Sequence, residues 1–168
     1  MLAFFVWVCF SGCGKVNTLS EQATVQLGID SNLIRNYVKS HNLKALPIID
    51  QTTRLSTGEY YVIDTPGTGS ALFTNATLIT VSYSAKVMGG AKNFVNTDSL
   101  AKPIFHPSFT LGSVIKGWQL GLPKSLKGGT IRLFVPSGYA YGPYAQTNYM
   151  LDPNSILDFT IKLYDITN

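Results

Sequence analysis

The chain has 168 residues, of which 45% are hydrophobic and 13% charged, and its formal net charge is +4. This length fits one domain with an extension, and the composition is that of a globular chain that can bury a core. The basic residues are scattered, which argues against a nucleic-acid partner. Both cysteines, Cys9 and Cys13, lie at the N-terminus, so a redox or zinc site built on cysteines within the fold is not expected.

The first thirteen residues have the pattern of an export signal. An apolar run extends from Leu2 to Phe10, which is too short to cross a bilayer but has the length of a signal-peptide core. The SGC tripeptide that follows ends at Cys13 and resembles a bacterial lipobox. We therefore expect residues 1–13 to be a signal peptide with lipidation at Cys13. This predicts a lipid anchor on the periplasmic side of a bacterial membrane, with the outer membrane favoured. The alternative is an ordinary apolar segment that packs or frays.

Residues 14–56 are predicted to form a tether and one helix. The small and polar residues up to Gln26 are typical of a tether. Asp30 or Ser31 is then placed to cap the N-terminus of a helix through DSNLIRNYVKSHNL. The predicted apolar stripe of this helix consists of Leu33, Ile34, Tyr37 and Val38. A helix this short is unstable in isolation, so it should dock on the rest of the chain or on a partner.

Residues 57–168 are predicted to form an α+β domain. The segments GEYYVID, LITVSYSAKVM and GTIRLFVP have the composition or alternation of strands, and alternation returns from Leu157 to Leu163. Turn signals such as TPGTG and GGAK separate these segments. One short, apolar, helix-like run contains Trp118, with Gly117 and Gly121 close to it. We therefore expect an antiparallel sheet packed against a short helix.

Signals of classical catalysis are scarce in this sequence. The two histidines, His41 and His106, are far apart and have no metal-ligand spacing, and no nucleophile elbow or phosphate-binding loop occurs. We expect neither a metal nor another cofactor. Six aromatic residues are distributed over the predicted strands, turns and helix, and they are candidates for an enclosed apolar site or for core packing: Tyr83, Phe94, Phe109, Trp118, Tyr141 and Phe159. Core packing accounts for Phe109 equally well.

Three separated motifs resemble those of a known family. VIKGWQLGL, GGTIRLFVPSGYAYG and DPNSILDFTIKLYDI occur in the same order as in the C-terminal half of FKBP-type peptidyl-prolyl isomerases, and the resemblance covers about residues 57–167. It implies a five- or six-stranded antiparallel sheet wrapped on a short helix, here with an N-terminal helical extension. It also implies a cofactor-free cis–trans isomerase that acts on proline-containing polypeptides and assists the folding of exported proteins.

The same resemblance assigns candidate site residues. Trp118 matches the floor on which the substrate proline rests, the Ile115 N–H matches a donor to a substrate carbonyl, and Tyr141 matches a second donor. Glycines near the indole would let a ligand or backbone approach closely. The implied catalytic set is Tyr83, Phe94, Ile115, Trp118, Tyr141 and Phe159, and the implied substrate-binding set is Val95, Val114 and Leu151.

One departure from the family pattern concerns the pocket carboxylate. Val95 follows Phe94 where the family usually has aspartate, which implies reduced activity. A second hypothesis is therefore a catalytically weak chaperone or binding module that grips proline-containing segments. A third is a scaffold subunit of an envelope complex that docks through the helix from Asp30 to Leu43.

Overall fold

The computed structural model of the chain describes residues 19–98 and 106–168. The predicted signal peptide and its lipidation site, Cys13, lie outside these residues. The helices and strands, in chain order, are α1 (Leu19–Ser40), β1 (Leu46–Ile49), β2 (Ser56–Thr65), β3 (Leu78–Val87), β4 (Asn93–Asn96), β5 (Ser108–Thr110), α2 (Lys116–Gly121), β6 (Thr130–Val135) and β7 (Leu157–Thr167).

The described strands form one antiparallel sheet, which confirms the predicted fold class. Their order is β1-β2-β6-β7-β3-β4, and β5 pairs with β3. The sheet has seven strands rather than the expected five or six. The short strands β1 and β5 could not be predicted, because three or four residues are too few to show an alternating pattern. β1 also contains Pro47, which an edge strand tolerates because its outer side needs no backbone donor. The predicted boundary at residue 57 falls within β2.

Strand β6 divides the core into two clusters because successive side chains on a strand point to opposite faces. Ile131, Leu133 and Val135 belong to the larger cluster, which also contains Trp118 of α2. Phe134 belongs to the smaller cluster on the opposite face. The sheet therefore has an α2 face, which carries the larger cluster, and an α1 face, which carries the smaller one.

Helix α2 lies very close to the sheet, and its glycines make this possible. A Cβ on Gly121 would lie 2.6 Å from Leu133 Cδ1, and a Cβ on Gly117 would clash with Val135. The two glycines therefore let the helix backbone approach β6, whereas neither lines the cleft beside Trp118. Any larger residue at these positions would push Trp118 away from the sheet.

Helix α1 differs from the prediction in its length and in the role of Asp30. It spans Leu19–Ser40, so the predicted tether is helical from residue 19 onward and Asp30 is not an N-cap. Asp30 lies within the helix and is buried, because its carboxylate is satisfied by a distant residue, Ser137. No pattern within the helix itself signals that partner.

The predicted docking of α1 on the rest of the chain is confirmed. Ile34 and Val38 pack against Phe134 and Ile156. Leu33, in contrast, is 50% exposed, so the buried stripe is narrower than the predicted one. None of the described helices has the length and apolar character needed to cross a membrane.

Candidate active site

A cleft of about 220 Å³ opens beside Trp118. Strands β3, β5 and β7, helix α2 and the loop after β6 all contribute to it. Its lining residues are Tyr83, Phe109, Ser113, Val114, Ile115, Trp118, Tyr141 and Phe159. The structure thus brings together six of the nine residues of the predicted catalytic and substrate-binding sets, although these six are spread over nearly half of the chain. None of these eight lining residues is charged, so the cleft is suited to an apolar group.

Trp118 forms the base of this cleft. Its side chain is buried, and three aromatic rings meet it edge to face at interplanar angles between 81° and 88°. The centroid distances are 5.0 Å to Tyr83, 6.1 Å to Phe109 and 5.5 Å to Phe159. Edge-to-face contacts fix the orientation of an aromatic ring. The indole is therefore held by a wall of rings on strands β3, β5 and β7.

The Ile115 N–H is a free donor at the start of α2. The Ile115 carbonyl accepts hydrogen bonds from the N–H groups of Trp118 and Gln119, whereas its own N–H has no acceptor among the described residues. The preceding carbonyl, that of Val114, accepts a 2.8 Å hydrogen bond from Gln119 Nε2. Because this carbonyl and the Ile115 N–H belong to one planar peptide, Gln119 also fixes the direction of the free donor. No motif or pattern in the sequence points to Gln119.

Tyr141 supplies a second donor. Its hydroxyl has no hydrogen-bond partner within the part of the chain that the structure describes. Burial raises the pKa of the Tyr141 phenol, and neighbouring Tyr149 and Tyr83 raise it further. Burial, with a contribution from Tyr149, also raises the pKa of Tyr83. Both phenols therefore remain protonated at neutral pH and can donate a hydrogen bond.

Phe94, Val95 and Leu151 do not line this cleft. Phe94 and Leu151 line a neighbouring depression of about 170 Å³ together with Tyr149. The Tyr149 ring lies 5.5 Å from that of Phe94 and 6.1 Å from that of Tyr141, so it separates the two depressions. Val95 lies on β4 opposite Ala85 and packs against the larger core cluster. These three residues are thus adjacent to the cleft without forming its surface.

Phe109 and Ser113 line the cleft although neither belonged to the predicted site set. Phe109 lies on the three-residue strand β5, where it is opposite Ile79 of β3, and this pairing turns its ring toward Trp118. The aromatic character of Phe109 was the only signal in the sequence, and it fitted core packing as well. Ser113 ends a short 3-10 turn before α2, and its position could not be read from any local pattern.

A family comparison agrees with this geometry. The profile of the family described as FKBP-type peptidyl-prolyl cis-trans isomerase matches residues 69–164. The chain belongs to this family. All nine of the predicted protein–substrate residues fall within the matched segment, whereas helix α1 and strand β1 precede it.

Two relatives of this FKBP-type chain come from Buchnera aphidicola. It is 37% identical over 116 residues to the isomerase FkpA of Buchnera aphidicola subsp. Schizaphis graminum, covering 69% of this chain and 44% of that protein. It is 30% identical over 159 residues to FkpA of Buchnera aphidicola subsp. Acyrthosiphon pisum, covering 94% of this chain and 63% of that protein. The chain thus spans about half the length of these curated relatives.

A solved structure has the same fold. The crystal structure of a peptidyl-prolyl cis-trans isomerase from Pseudomonas syringae pv. tomato superposes with a TM-score of 0.64 at 25% sequence identity. The match covers 91% of this chain and 99% of that one. The superposed part is therefore longer than the segment that matches the family profile.

Proposed function

We propose that this FKBP-type chain catalyses cis–trans isomerisation of X–Pro bonds, with the proline ring bound against Trp118. The observation that carries the proposal is an uncharged aromatic cleft with two donors, the Ile115 N–H and the Tyr141 hydroxyl, for which residues 19–98 and 106–168 supply no acceptor. The volume of about 220 Å³ is smaller than a typical pocket for a drug-sized ligand and suits a single ring. Membership of the family supports the same reading.

The proposed mechanism requires no covalent step and no cofactor. An X–Pro bond rotates over a barrier of about 20 kcal/mol and takes tens of seconds without catalysis. The planar amide is more dipolar than the twisted one, so an apolar cleft favours the twisted state relative to water. The Ile115 N–H and the Tyr141 hydroxyl bind the carbonyl side of the substrate while the proline side turns. Ring contacts around Trp118 keep the floor rigid during this rotation.

The proposed substrates are proline-containing segments of exported proteins. The apolar N-terminal run and the SGC tripeptide before Gly14 support a location on the periplasmic side of a bacterial membrane, with a lipid attached at Cys13. Labelled palmitate should be incorporated into the chain expressed in bacteria and should be lost in Cys13→Ser. Cys9→Ser is the matched control, because Cys9 lies inside the predicted signal core. Equal labelling of both variants and the parent would refute the assignment of Cys13.

A binding module of low catalytic activity is the second candidate function. It is favoured by Val95, an apolar residue adjacent to the cleft at the position where the family pattern has a carboxylate. The neighbouring depression also presents an apolar side chain to solvent, since Met150 in its lining is 76% exposed. Exposed apolar side chains around a cleft are typical of a site that binds unfolded segments.

Exchange spectroscopy on a short X–Pro peptide separates the two functions. We expect the full chain to accelerate cis–trans exchange and Tyr141→Phe to reduce this acceleration with little change in stability. Tyr144→Phe is the matched control, because Tyr144 is exposed and does not line the cleft. Exchange by Val95→Asp but not by the parent would identify a binding module that lacks the carboxylate. Exchange by neither, together with peptide binding, would identify a binding module without an isomerase site.

A further inference from the structure

Asp30 of helix α1 is a buried carboxylate with a complete set of donors. Only 1% of its surface is exposed. Oδ2 accepts hydrogen bonds from the backbone N–H of Ser137 at 2.7 Å and from its hydroxyl at 2.6 Å. Oδ1 accepts a 2.7 Å hydrogen bond from Gln26 Nε2. None of the ion pairs among the described residues includes Asp30, so hydrogen bonds alone compensate its desolvation.

Ser137 connects this carboxylate to the loop that carries Tyr141. The Ser137 carbonyl accepts hydrogen bonds from the N–H groups of Ala140 at 2.9 Å and Gly142 at 2.8 Å. These two residues flank Tyr141 in the chain. Gly142 adopts a φ of +65°, which allows the loop to close on Ser137. Asp30 therefore binds one side of Ser137, and both neighbours of Tyr141 bind the other.

We infer that Asp30 is a positioning residue for the isomerase site, acting on the Tyr141 hydroxyl through Ser137. The inference rests on the proposed function, since it assigns Tyr141 a role in the reaction. Hydrogen bonds in such a series polarise and align one another in a low-dielectric interior. A displacement of a donor by about 1 Å is enough to reduce catalysis substantially. Asp30 fixes the turn on which the Tyr141 hydroxyl depends.

The apolar contacts of α1 show that docking alone does not require Asp30. Ile34 and Val38 already bury the helix against Phe134 and Ile156. A buried carboxylate is a weak means of stabilising a docked helix, because apolar residues of similar volume do so without a desolvation cost. Its benefit is directional, since it selects one orientation of Ser137. Helix α1 precedes the segment that matches the family profile. It nevertheless helps to position Tyr141 in the cleft, through the hydrogen bonds between Asp30 and Ser137.

A double-mutant cycle on the full chain tests the inference. We expect Asp30→Ala to lower kcat/KM on an X–Pro peptide by roughly tenfold, mainly through kcat. In the Tyr141→Phe background the same substitution should change kcat/KM less than about twofold, because there is no hydroxyl left to misplace. Asp30→Asn should recover most of the activity, since its amide oxygen still accepts from Ser137.

Val38→Ala is the control for loss of helix docking. It removes apolar contacts of α1 and leaves Asp30 and Ser137 unchanged, so it should lower stability without lowering the activity of the folded protein. If Asp30→Ala fails to fold, Ser137→Ala is the second variant, because it removes the hydroxyl donor and keeps the backbone N–H donor to Asp30. We expect it to lower kcat by roughly twofold to threefold, since only one of the two hydrogen bonds that align the loop is lost.

Four results would overturn the inference. Equal losses from Asp30→Ala in the two Tyr141 backgrounds would make Asp30 a purely structural residue, and so would equal losses from Asp30→Ala and Val38→Ala. Full activity of Asp30→Ala together with a clear loss in Tyr141→Phe would refute the inference alone. Full activity of Tyr141→Phe would refute the proposed role of Tyr141 and, with it, the role of Asp30.

Discussion

The two faces of the sheet differ in whether the buried polar groups described below are hydrogen-bonded. On the α1 face, Asp30 has three hydrogen-bond donors. On the α2 face, both carboxyl oxygens of Glu59 and Nε1 of Trp118 are buried and have no hydrogen-bond partner among the described residues. Buried polar atoms without partners are rare and destabilising. The α1 face is therefore built for a defined geometry, whereas the α2 face, which carries the cleft, retains groups that oppose folding.

Glu59 lies directly against the helix that carries the cleft floor. Its Oε1 would be 3.1 Å from a Cβ on Gly121. Burial raises the pKa of the Glu59 carboxyl well above its ordinary value. Residues that reduce stability next to a functional site are common, because selection acts on activity once stability is sufficient. The contrast between the faces can be tested at four levels.

The largest expected effect separates two adjacent residues on β6. Phe134→Ala should lower the free energy of unfolding by about 4 kcal/mol, because it empties the core between α1 and the sheet. Leu133→Ala, on the other face, should cost about 3 kcal/mol and should also weaken peptide binding by displacing α2. Urea unfolding and peptide titration at low temperature measure both. Equal losses of peptide affinity in the two variants would contradict the division into faces.

The next effect concerns the cleft floor. Trp118→Leu should reduce kcat/KM by roughly 30-fold, about 2 kcal/mol, because most of the surface that contacts the proline ring is lost. The loss in the free energy of unfolding should be smaller than these 2 kcal/mol (about 30-fold in kcat/KM), since the substitution also removes a buried indole N–H that has no acceptor among the described residues. Trp118→Phe is the control that keeps an aromatic floor, and it should retain most of the activity. Unchanged kcat/KM in Trp118→Leu would exclude this cleft as the site.

Glu59 provides a stabilising substitution on the α2 face. Glu59→Leu should raise the free energy of unfolding at pH 7 by about 1.5 kcal/mol, because it replaces a buried unpartnered carboxyl with an apolar side chain of similar size. Urea unfolding of the parent and the variant measures this. Ser137→Ala is the contrasting variant, since its hydroxyl is hydrogen-bonded and its removal should be destabilising. A loss of stability in Glu59→Leu would mean that the carboxyl has a compensating partner.

The fourth test is the dependence of stability on pH. The folded pKa of Glu59 is raised above the ordinary value of 4.5, so the folded state binds more protons than the unfolded state above that pH. The contribution of Glu59 to the free energy of unfolding should therefore be greatest below pH 4.5. This contribution should decrease as the pH rises toward the folded pKa, by at most about 1.4 kcal/mol per pH unit.

Glu59→Gln isolates this contribution because it has the same shape and does not titrate. The parent and variant curves should diverge as the pH rises above 4.5. The partly exposed carboxyls Asp50 and Asp165 have lowered pKa values, because backbone N–H groups of Thr53 and Thr52 bind the first and Lys127 binds the second. Their contributions therefore change at more acidic pH and with the opposite sign. Parallel curves for the parent and Glu59→Gln would show that Glu59 is not the titrating group.

Several features could be predicted from the sequence because they depend on local periodicity or on motifs. Alternation at Ile131, Leu133 and Val135 placed these residues on one face, and all three belong to the same core cluster. Three motifs in a fixed order indicated the FKBP-type family, and they contain five of the residues that line the cleft. Strands β1 and β5 were not predicted, because segments of three or four residues show no alternating pattern. They form as partners of the longer strands β2 and β3.

What the sequence by itself determined is the alternation of the long strands, the family and the aromatic character of the site. Only the tertiary structure decided the role of Asp30. Its partner, Ser137, is 107 positions away along the chain, and an aspartate that precedes an apolar helical stripe looks the same whether it caps a helix or binds a distant loop. Local patterns record which face of an element is apolar. They carry no record of which distant donor satisfies a buried carboxylate, because that depends on how the chain closes.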